Sequence, residues 1–504
     1  MPDPPPGLGE PIADPIAPAA AAAACGGLPV ASGSLAEEAV GDLAVVLHSH
    51  MPYVEGFGTY PFGEEWLFDA VARSHLPVLD VARDMTLTVT PVLADQLEAP
   101  GVPGRMRSFL AEHRLEAAQR DASRAAAELR PAAEAEAERY GKALDRLTEL
   151  GERPLDAFRA AHDENRVEIM ASAATHAVLP LVATEPGRRL QIDAGLRSHK
   201  RRFGPAEGFW LPECAYGPGL DRLLAERGLD HFCVDQSTHE PGPAALAPIR
   251  APAGPTAFPI DWETVSLVWS GGGYPADADY LEYHRQSENG IRLWSISGEP
   301  YEHAAGLARA TRHAAEFVDA VAARLEAFRG ERSKPGLVTF AIDTELLGAW
   351  WSEGADWLRA LIEAAPARGV RLVTLSEAQS RHEAERRPLR ESSWGKGKDL
   401  RTWDSPAVSD LAWASRRLEL RLLSELGRGR LAAPAAQRAA RELLAVQSSD
   451  WAFLDSERQA GDYPFRRAVD HAEAMLEVID SRQAPDPQMR SLAPDLSLAP
   501  LLEP

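Results

Sequence analysis

Residues 42–50 read Asp-Leu-Ala-Val-Val-Leu-His-Ser-His, an unbroken apolar run that stops on two histidines. A run this short, with turn-forming residues at its borders, reads as a strand buried on both faces, the kind found in parallel sheets. Strand residues two apart face the same side, so His48 and His50 reach one point in space. The same pattern recurs outward from this segment. Residues 86–92 (TLTVTPV), 167–170, 208–211, 231–234, 265–269, 337–342 and 371–374 all read as short strands. Helical stretches such as 219–227 and 301–329 lie between most of them. Alternation of this kind over such a length predicts an α/β fold, either a parallel barrel or a doubly wound sheet. Polar residues follow the strands, namely His48 and His50, Glu213, Asp235 and Asp343. The C-terminal ends of strands are where α/β barrels build their sites.

The chain has 504 residues, more than one ordinary compact domain holds, and 45% of them are hydrophobic, enough to bury a core. From 105 to 166 the sequence becomes dense in Ala, Glu and Arg at helical spacing, which predicts a helical insertion over about 104–166. After Ser392 the strands stop, and 410–426, 433–446 and 464–480 carry helical periodicity. The expected division is a tail over 1–41, a catalytic barrel over 42–390, a helical domain over 391–482 and a second tail over 483–504. Residues 1–41 are rich in Pro, Ala and Gly and hold no Lys or Arg, so they read as disordered rather than as a signal peptide. The net charge is −22, which repels phosphate backbones and anionic lipid and argues against nucleic acid and membrane partners. No apolar run approaches the ~18–20 residues of a membrane span. Three cysteines exclude a disulfide framework and a four-cysteine zinc site, and suit a cytoplasmic setting.

Several constellations could carry chemistry. His48 and His50 read as a metal pair, as donors to sugar hydroxyls, or as histidines satisfying loop carbonyls. In Phe-Trp210-Leu-Pro-Glu213-Cys-Ala-Tyr, a lone acid follows an apolar run and is braced by Trp210 and Pro212. That suits a rigidly held nucleophile beside an aromatic face, or a structural salt bridge. Asp343 ends another strand, with Glu345 two residues on and Trp350 and Trp351 after it. Two carboxylates from different strands are what glycoside cleavage or transfer uses, one at the anomeric carbon and one moving the proton. His176 follows a further strand, and the segment Gln447-Ser-Ser-Asp450-Trp451 falls in the helical region, as a cap or as a lip over the barrel. Phosphate-loop, HExxH, GxSxG and CxxC signatures are lacking.

In order along the chain, these segments resemble the α-glucan branching enzymes of glycoside hydrolase family 57. The resemblance runs through His48-Ser-His-Met-Pro-Tyr53-Val, Tyr60-Pro-Phe-Gly-Glu-Glu65 and the stretch from Glu168 to Leu181. It continues through Trp210-Leu-Pro-Glu213, Val268-Trp269-Ser, Gly273-Tyr-Pro275, Asp343-Thr-Glu-Leu and Trp350-Trp351-Ser-Glu-Gly354. It ends with Ser393-Trp394-Gly395 and Ser449-Asp450-Trp451, so it spans roughly 42 to 480. It implies an incomplete (β/α)7 barrel with a helical insertion, closed by a C-terminal all-α domain. It also implies a retaining enzyme with Glu213 as nucleophile and Asp343 as acid/base, acting on an α-glucan polysaccharide without metal or organic cofactor. His48, His50 and His176 would line the first sugar subsite. Trp210, Trp269, Trp350, Trp351, Trp394, Trp403, Asp450 and Trp451 would hold glucan chains. Two departures stand out. The loop at 234–249 is short and has no tyrosine, where the family carries a long loop tipped by one. Ala349 precedes Trp350-Trp351, where the family often has histidine. Outside this resemblance, a metal-dependent hydrolase using His48, His50, His176 and Asp343 and a non-catalytic glucan-binding protein are the rival readings.

Overall fold

The computed structural model describes residues 39–57, 63–239, 242–483 and 490–502. Residues 1–38, most of the expected N-terminal tail, and 60–62 of the family-like segment lie outside the described residues. Nine strands are present among those described: β1 (Gly41–Ser49), β2 (Met85–Val89), β3 (Val167–Ser172), β4 (Gly208–Trp210), β5 (His231–Val234), β6 (Ile249–Arg250), β7 (Thr256–Pro259), β8 (Gly336–Asp343) and β9 (Val370–Leu372). Seven of them run parallel in the order β8-β1-β2-β3-β4-β5-β7. β6 adds antiparallel to β7, and β9 pairs with the first residues of β1. No ladder joins β7 to β8. The Asp261 N–H, two residues past β7, donates to Thr339 O of β8 at 2.9 Å, so the sheet curls almost shut. This is an incomplete (β/α)7 barrel.

β1 is buried along its whole length and lies between β2 and β8. Its register pairs His48 with Thr88 on one side and with Asp343 on the other. The apolar half of the strand thus fills the barrel, and its polar end meets the polar ends of both neighbours.

One expected strand is a helix. Residues 265–269 fall inside the helix Trp262–Trp269, and the seventh barrel strand is β7 instead. Asp261 settles the matter locally: its side chain caps the helix by accepting from the Thr264 N–H. A five-residue apolar run has no period of its own to distinguish helix from strand. β7 was hidden because Pro255 and Pro259 bracket it, and proline is read as a strand breaker.

The region expected as an insertion holds the helices Val102–Ser108, Glu116–Arg124, Arg130–Glu149 and Leu155–Asp163. Arg73 anchors it through a buried ion pair with Glu136 at 2.6 Å. Arg73 lies in a wide π turn, Val71–His75. A Cβ on Gly348, whose φ is +109°, would sit 1.9 Å from the Arg73 carbonyl, so only glycine lets that turn approach. The turn aims Ser74 at Thr344 O (2.7 Å) and His75 at Glu345 (2.7 Å), just past Asp343.

After β9 come the helices Ser409–Gly427, Ala433–Val446, Ser449–Ser456 and Tyr463–Ser481. The chain end differs from the expected tail. Within 490–502, Leu492, Ala493, Leu496 and Leu501 are buried, the Ala493 N–H donates to Asp95 at 2.7 Å, and Asp495 pairs with Arg201 at 2.8 Å. The hydrophobic residues are spaced irregularly, so no periodicity announces this packing.

Candidate active site

The parallel strands bring His48, His50, Glu213 and Asp343 to one end of the barrel. Thr88 and Thr90 at the end of β2 hold the two β1 imidazoles: His48 Nδ1 lies 2.5 Å from Thr88 Oγ1, and His50 Nδ1 lies 3.0 Å from Thr90 Oγ1. His176, at a left-handed φ of 58°, brings its Nε2 to 2.9 Å from His48 Nε2. The rings of His48, His50 and His176 stack, with His50 and His176 centroids 4.0 Å apart, and Trp210 stacks on His48 at 4.6 Å.

Glu213 sits on a tight turn after β4. Both Glu213 (φ 61°) and Cys214 (φ 48°) are left-handed, which costs about 1–2 kcal/mol each for non-glycine residues. Trp394 grips this turn twice: its backbone N–H donates to Glu213 O at 2.9 Å, and its indole Nε1–H donates to Glu213 Oε2 at 2.8 Å. The nearby Ser449 hydroxyl, hydrogen-bonded to His176, also favours the charged carboxylate. Burial pushes the Glu213 carboxyl up, and the nearby Asp450 charge adds to this. The Trp394 donor, the Ser449 hydroxyl and His50 pull the other way.

Asp343 lies at the end of β8 and has no side-chain hydrogen bond among the described residues. Burial raises its carboxyl well above the ordinary range, and repulsion from Glu345 and Glu213 raises it further. Of the two acids, Glu213 has the donor that stabilises a charge. Asp343 is placed to keep its proton.

The C-terminal helices complete the site. Asp450 Oδ1 meets His50 Nε2 at 2.9 Å, and Ser449 Oγ meets His176 Nδ1 at 2.8 Å. Burial opposes a charge on His50, but Asp450, Glu345 and Glu213 outweigh it and raise its proton affinity. Burial first, then the neighbouring imidazoles, lowers His48 and His176 well below the ordinary value, so both are neutral at pH 7.

The tryptophans divide. Trp269, 37% exposed, and the half-buried Trp350 form an open pair with centroids 6.2 Å apart, and Trp394 is half-buried beside Glu213. Trp351, Trp403 and Trp451 are only 2%, 3% and 1% exposed and show no ring face to a ligand. Trp351 packs against Tyr280 and Trp357, and Trp451 donates to Ala445 O at 2.7 Å. Trp210 is likewise enclosed and reaches the site only by its stack on His48. Sequence reasoning missed Thr88, Thr90 and Ser449. The alternation in TLTVTPV, with threonines two apart, was a usable sign for the first two. Glu345 accepts from the His50 N–H at 3.0 Å and from His75, and so braces the β1 end. Among the described residues no group of three His, Cys, Asp or Glu is arranged to hold a metal ion.

Comparisons with known proteins agree with this geometry. The model of "Glycosyl hydrolase family 57" matches residues 44–389, and that of "1,4-alpha-glucan branching enzyme, C-terminal" matches 411–494. The chain is 31% identical to a 1,4-alpha-glucan branching enzyme of Thermococcus kodakarensis, over 86% of this chain and 72% of that protein. It is 33% identical to a probable 1,4-alpha-glucan branching enzyme of Mycobacterium tuberculosis, over 87% and 91%. The crystal structure of a GH57-type branching enzyme from Pyrococcus horikoshii superposes with a TM-score of 0.86 at 29% identity, covering 92% of this chain and 97% of that one. An α-amylase from Thermotoga maritima shares the fold, with a TM-score of 0.82 at 23% identity over 92% and 99% of the two chains. The chain belongs to glycosyl hydrolase family 57.

Proposed function

We propose that this chain is a retaining 1,4-α-glucan branching enzyme acting on amylose- or glycogen-like chains. The Glu213 carboxylate bonds to the anomeric carbon as the α-1,4 C–O bond breaks, and Asp343 gives its proton to the departing 4-oxygen. A 6-hydroxyl of a second glucan then attacks that carbon. Its proton passes to Asp343, and the bond to Glu213 breaks. The observation that carries this reading is the unequal setting of the two acids: Glu213 accepts from the Trp394 indole, while Asp343 is buried against other negative charges.

His48, His50 and His176 serve as polar contacts to the first sugar, and Trp269, Trp350 and Trp394 as aromatic contacts to the chain. Residues 42–390 carry catalysis, and the helical region over 391–482 closes the cleft. The mutual 2.9 Å contact of the His48 and His176 Nε2 atoms uses the lone pair a metal would need, which speaks against the metal-hydrolase rival. A cytoplasmic setting accords with Cys214 and Cys233 being buried free thiols.

α-Glucan hydrolysis is the second reading, favoured by the short loop after β5 without a tyrosine. Incubation with amylose separates the two. Branching lowers iodine colour with few new reducing ends and yields short chains after debranching. Reducing ends rising in step with the loss of colour would assign a hydrolase.

A further inference from the structure

Asp235, the residue just past β5, is buried and takes no part in the chemistry above. Its Oδ1 accepts from the Ser237 N–H at 3.0 Å and from the Ser237 hydroxyl at 2.5 Å. Its Oδ2 lies 2.8 Å from Lys398 Nζ. That approach is too oblique for a hydrogen bond, so charge alone draws the two together. The same ammonium sits 3.2 Å from the centroid of the Trp262 ring, whose π face attracts a cation. The Lys398 side chain is 10% exposed and that of Asp235 is fully buried. Removing one partner of such a pair leaves the other charge enclosed and uncompensated.

Lys398 also closes the loop that carries Trp394. Its N–H donates to Gly395 O at 2.9 Å, and its carbonyl accepts from the Ser393 N–H at 3.1 Å. Gly397 (φ 74°) and Lys398 (φ 59°) are both left-handed, which turns the chain tightly. Trp394 lies inside this closed loop, with its indole on Glu213 Oε2 at 2.8 Å and its backbone N–H on Glu213 O at 2.9 Å. The chain before it is held as well. Gln236, next to Asp235, donates to Ser392 Oγ and to Arg390 O, both at 2.8 Å, and Ser392 exchanges backbone hydrogen bonds with Tyr216. Two adjacent side chains past the end of β5 therefore grip the loop on either side of Trp394, Gln236 ahead of it and Asp235 behind it.

We propose that the buried Lys398–Asp235 pair is the anchor that sets the Trp394 indole on the Glu213 carboxylate, so that Lys398 and Asp235 are positioning residues for the reaction. A shift of Lys398 passes through the Ser393–Lys398 hydrogen bond to Trp394 and so to the carboxylate. The inference rests on Glu213 being the nucleophile.

Glu213 is faced by His50 from β1, His176 from the turn after β3, Asp343 from β8, Asp450 from the helix Ser449–Ser456 and the adjoining Cys214. Lys398 is faced by Asp235 and Cys214. The variants that follow keep all of these except Asp235. The experiment is the pH profile of kcat/KM on amylose, whose acid limb follows the nucleophile's carboxylate. Trp394→Phe lacks the indole N–H and should move that limb up by about one pH unit. The anchor is tested with Lys398→Met, with Asp235→Asn, which keeps an oxygen for Ser237, and with the two combined. Acting through space alone, loss of the ammonium raises the limb and loss of the carboxylate lowers it, while the double variant, unchanged in net charge, leaves it in place. Acting through the position of the indole, all three raise it, by up to the shift of Trp394→Phe. The second pattern is expected. Opposite shifts in the two single variants, or an unmoved limb in the double variant, overturn the proposal. An unmoved limb in every variant, even with lower activity or a lower melting temperature, makes the pair a structural tie and also overturns it. So does an unmoved limb in Trp394→Phe. Should Lys398→Met fail to fold by thermal melting, the double variant, which leaves no uncompensated buried charge, decides by whether its limb rises. The nucleophile reading is checked separately: a Glu213→Gly variant that azide does not rescue sinks that reading, whereas rescue together with any overturning pattern sinks the anchor alone.

Discussion

Glu213 is held by strain below and by donors above. Its left-handed dihedral angles, shared with Cys214, persist because Trp394 ties both the carbonyl and the carboxylate. Glu213→Gln keeps the shape and removes the charge that attacks carbon in the proposed mechanism. It should lower kcat on amylose by about 10³-fold or more while leaving glucan binding near the wild-type level. Activity within about tenfold of wild type would count against the assigned role. At this scale the acids and histidines were legible, because each ends an apolar run at a strand terminus. Their hydroxyl partners were not. Thr88 lies 40 residues from His48, and Ser449 lies 273 from His176. Serine and threonine are common in turns and caps, so nothing local marks these two. The tryptophans were legible as a surplus but not by role, since burial depends on which helices meet. Trp269 and Trp351 look alike in sequence and differ only in what covers them.

The helix Ser449–Ser456 docks on the barrel through charge as well as shape. Asp450 pairs with His50, and both side chains are largely buried, at 12% and 9% exposed. The fold raises His50 above its ordinary 6.5, because Asp450, Glu345 and Glu213 together outweigh the opposing effect of burial. A histidine raised by folding adds stability that is fully present below its unfolded value. That stability is lost as pH rises through the native one. The melting temperature of the wild type should therefore exceed that of Asp450→Asn by most near pH 6, and the gap should narrow above the raised His50 value. Comparing the two proteins cancels groups common to both, including Glu65, which burial pushes up to about 7. A gap independent of pH between 6 and 9 would show that the pair contributes no charge-dependent docking. The same scale shows why one strand was misread. Residues 265–269 and β7 are both short and apolar, and the difference lies in Asp261, which caps the helix and lies two residues past the end of β7. A cap four residues before an ambiguous run was the available sign.

Across the whole molecule, long-range closure does what sequence proximity does not. The end of the chain returns to the helix Glu185–Phe203, burying Leu492, Leu496 and Leu501. Deleting residues 484–504 should lower stability by roughly 3 kcal/mol or more, because each buried leucine contributes about 1.5–3 kcal/mol; chemical denaturation measures it. The balance between transfer and hydrolysis is also set at this scale. In the proposed mechanism a glucan held on Glu213 can be taken by water or by a second glucan, and a covered site favours the glucan. Residues 234–239 and 242–249 offer little cover. Gln236 is tied to the Ser392 hydroxyl and the Arg390 carbonyl, both at 2.8 Å, and Asp235 to Lys398 at 2.8 Å. Arg387 further grips the Ala244 and Ala247 carbonyls at 2.8 Å. The described parts, 234–239 and 242–249, are pinned in this way, and the segment's sequence holds no aromatic residue to cap the cleft. Shielding falls instead to Trp394 and to the helix that brings Ser449 and Asp450. That cover is fixed, so it excludes water less completely than a closing loop. On amylose, the ratio of new α-1,6 bonds to new reducing ends should therefore be lower than for a relative with the long tyrosine-tipped loop assayed side by side, yet above zero. An equal ratio would show that the fixed aromatic and helical cover is sufficient by itself. A ratio near zero would make hydrolysis the principal reaction.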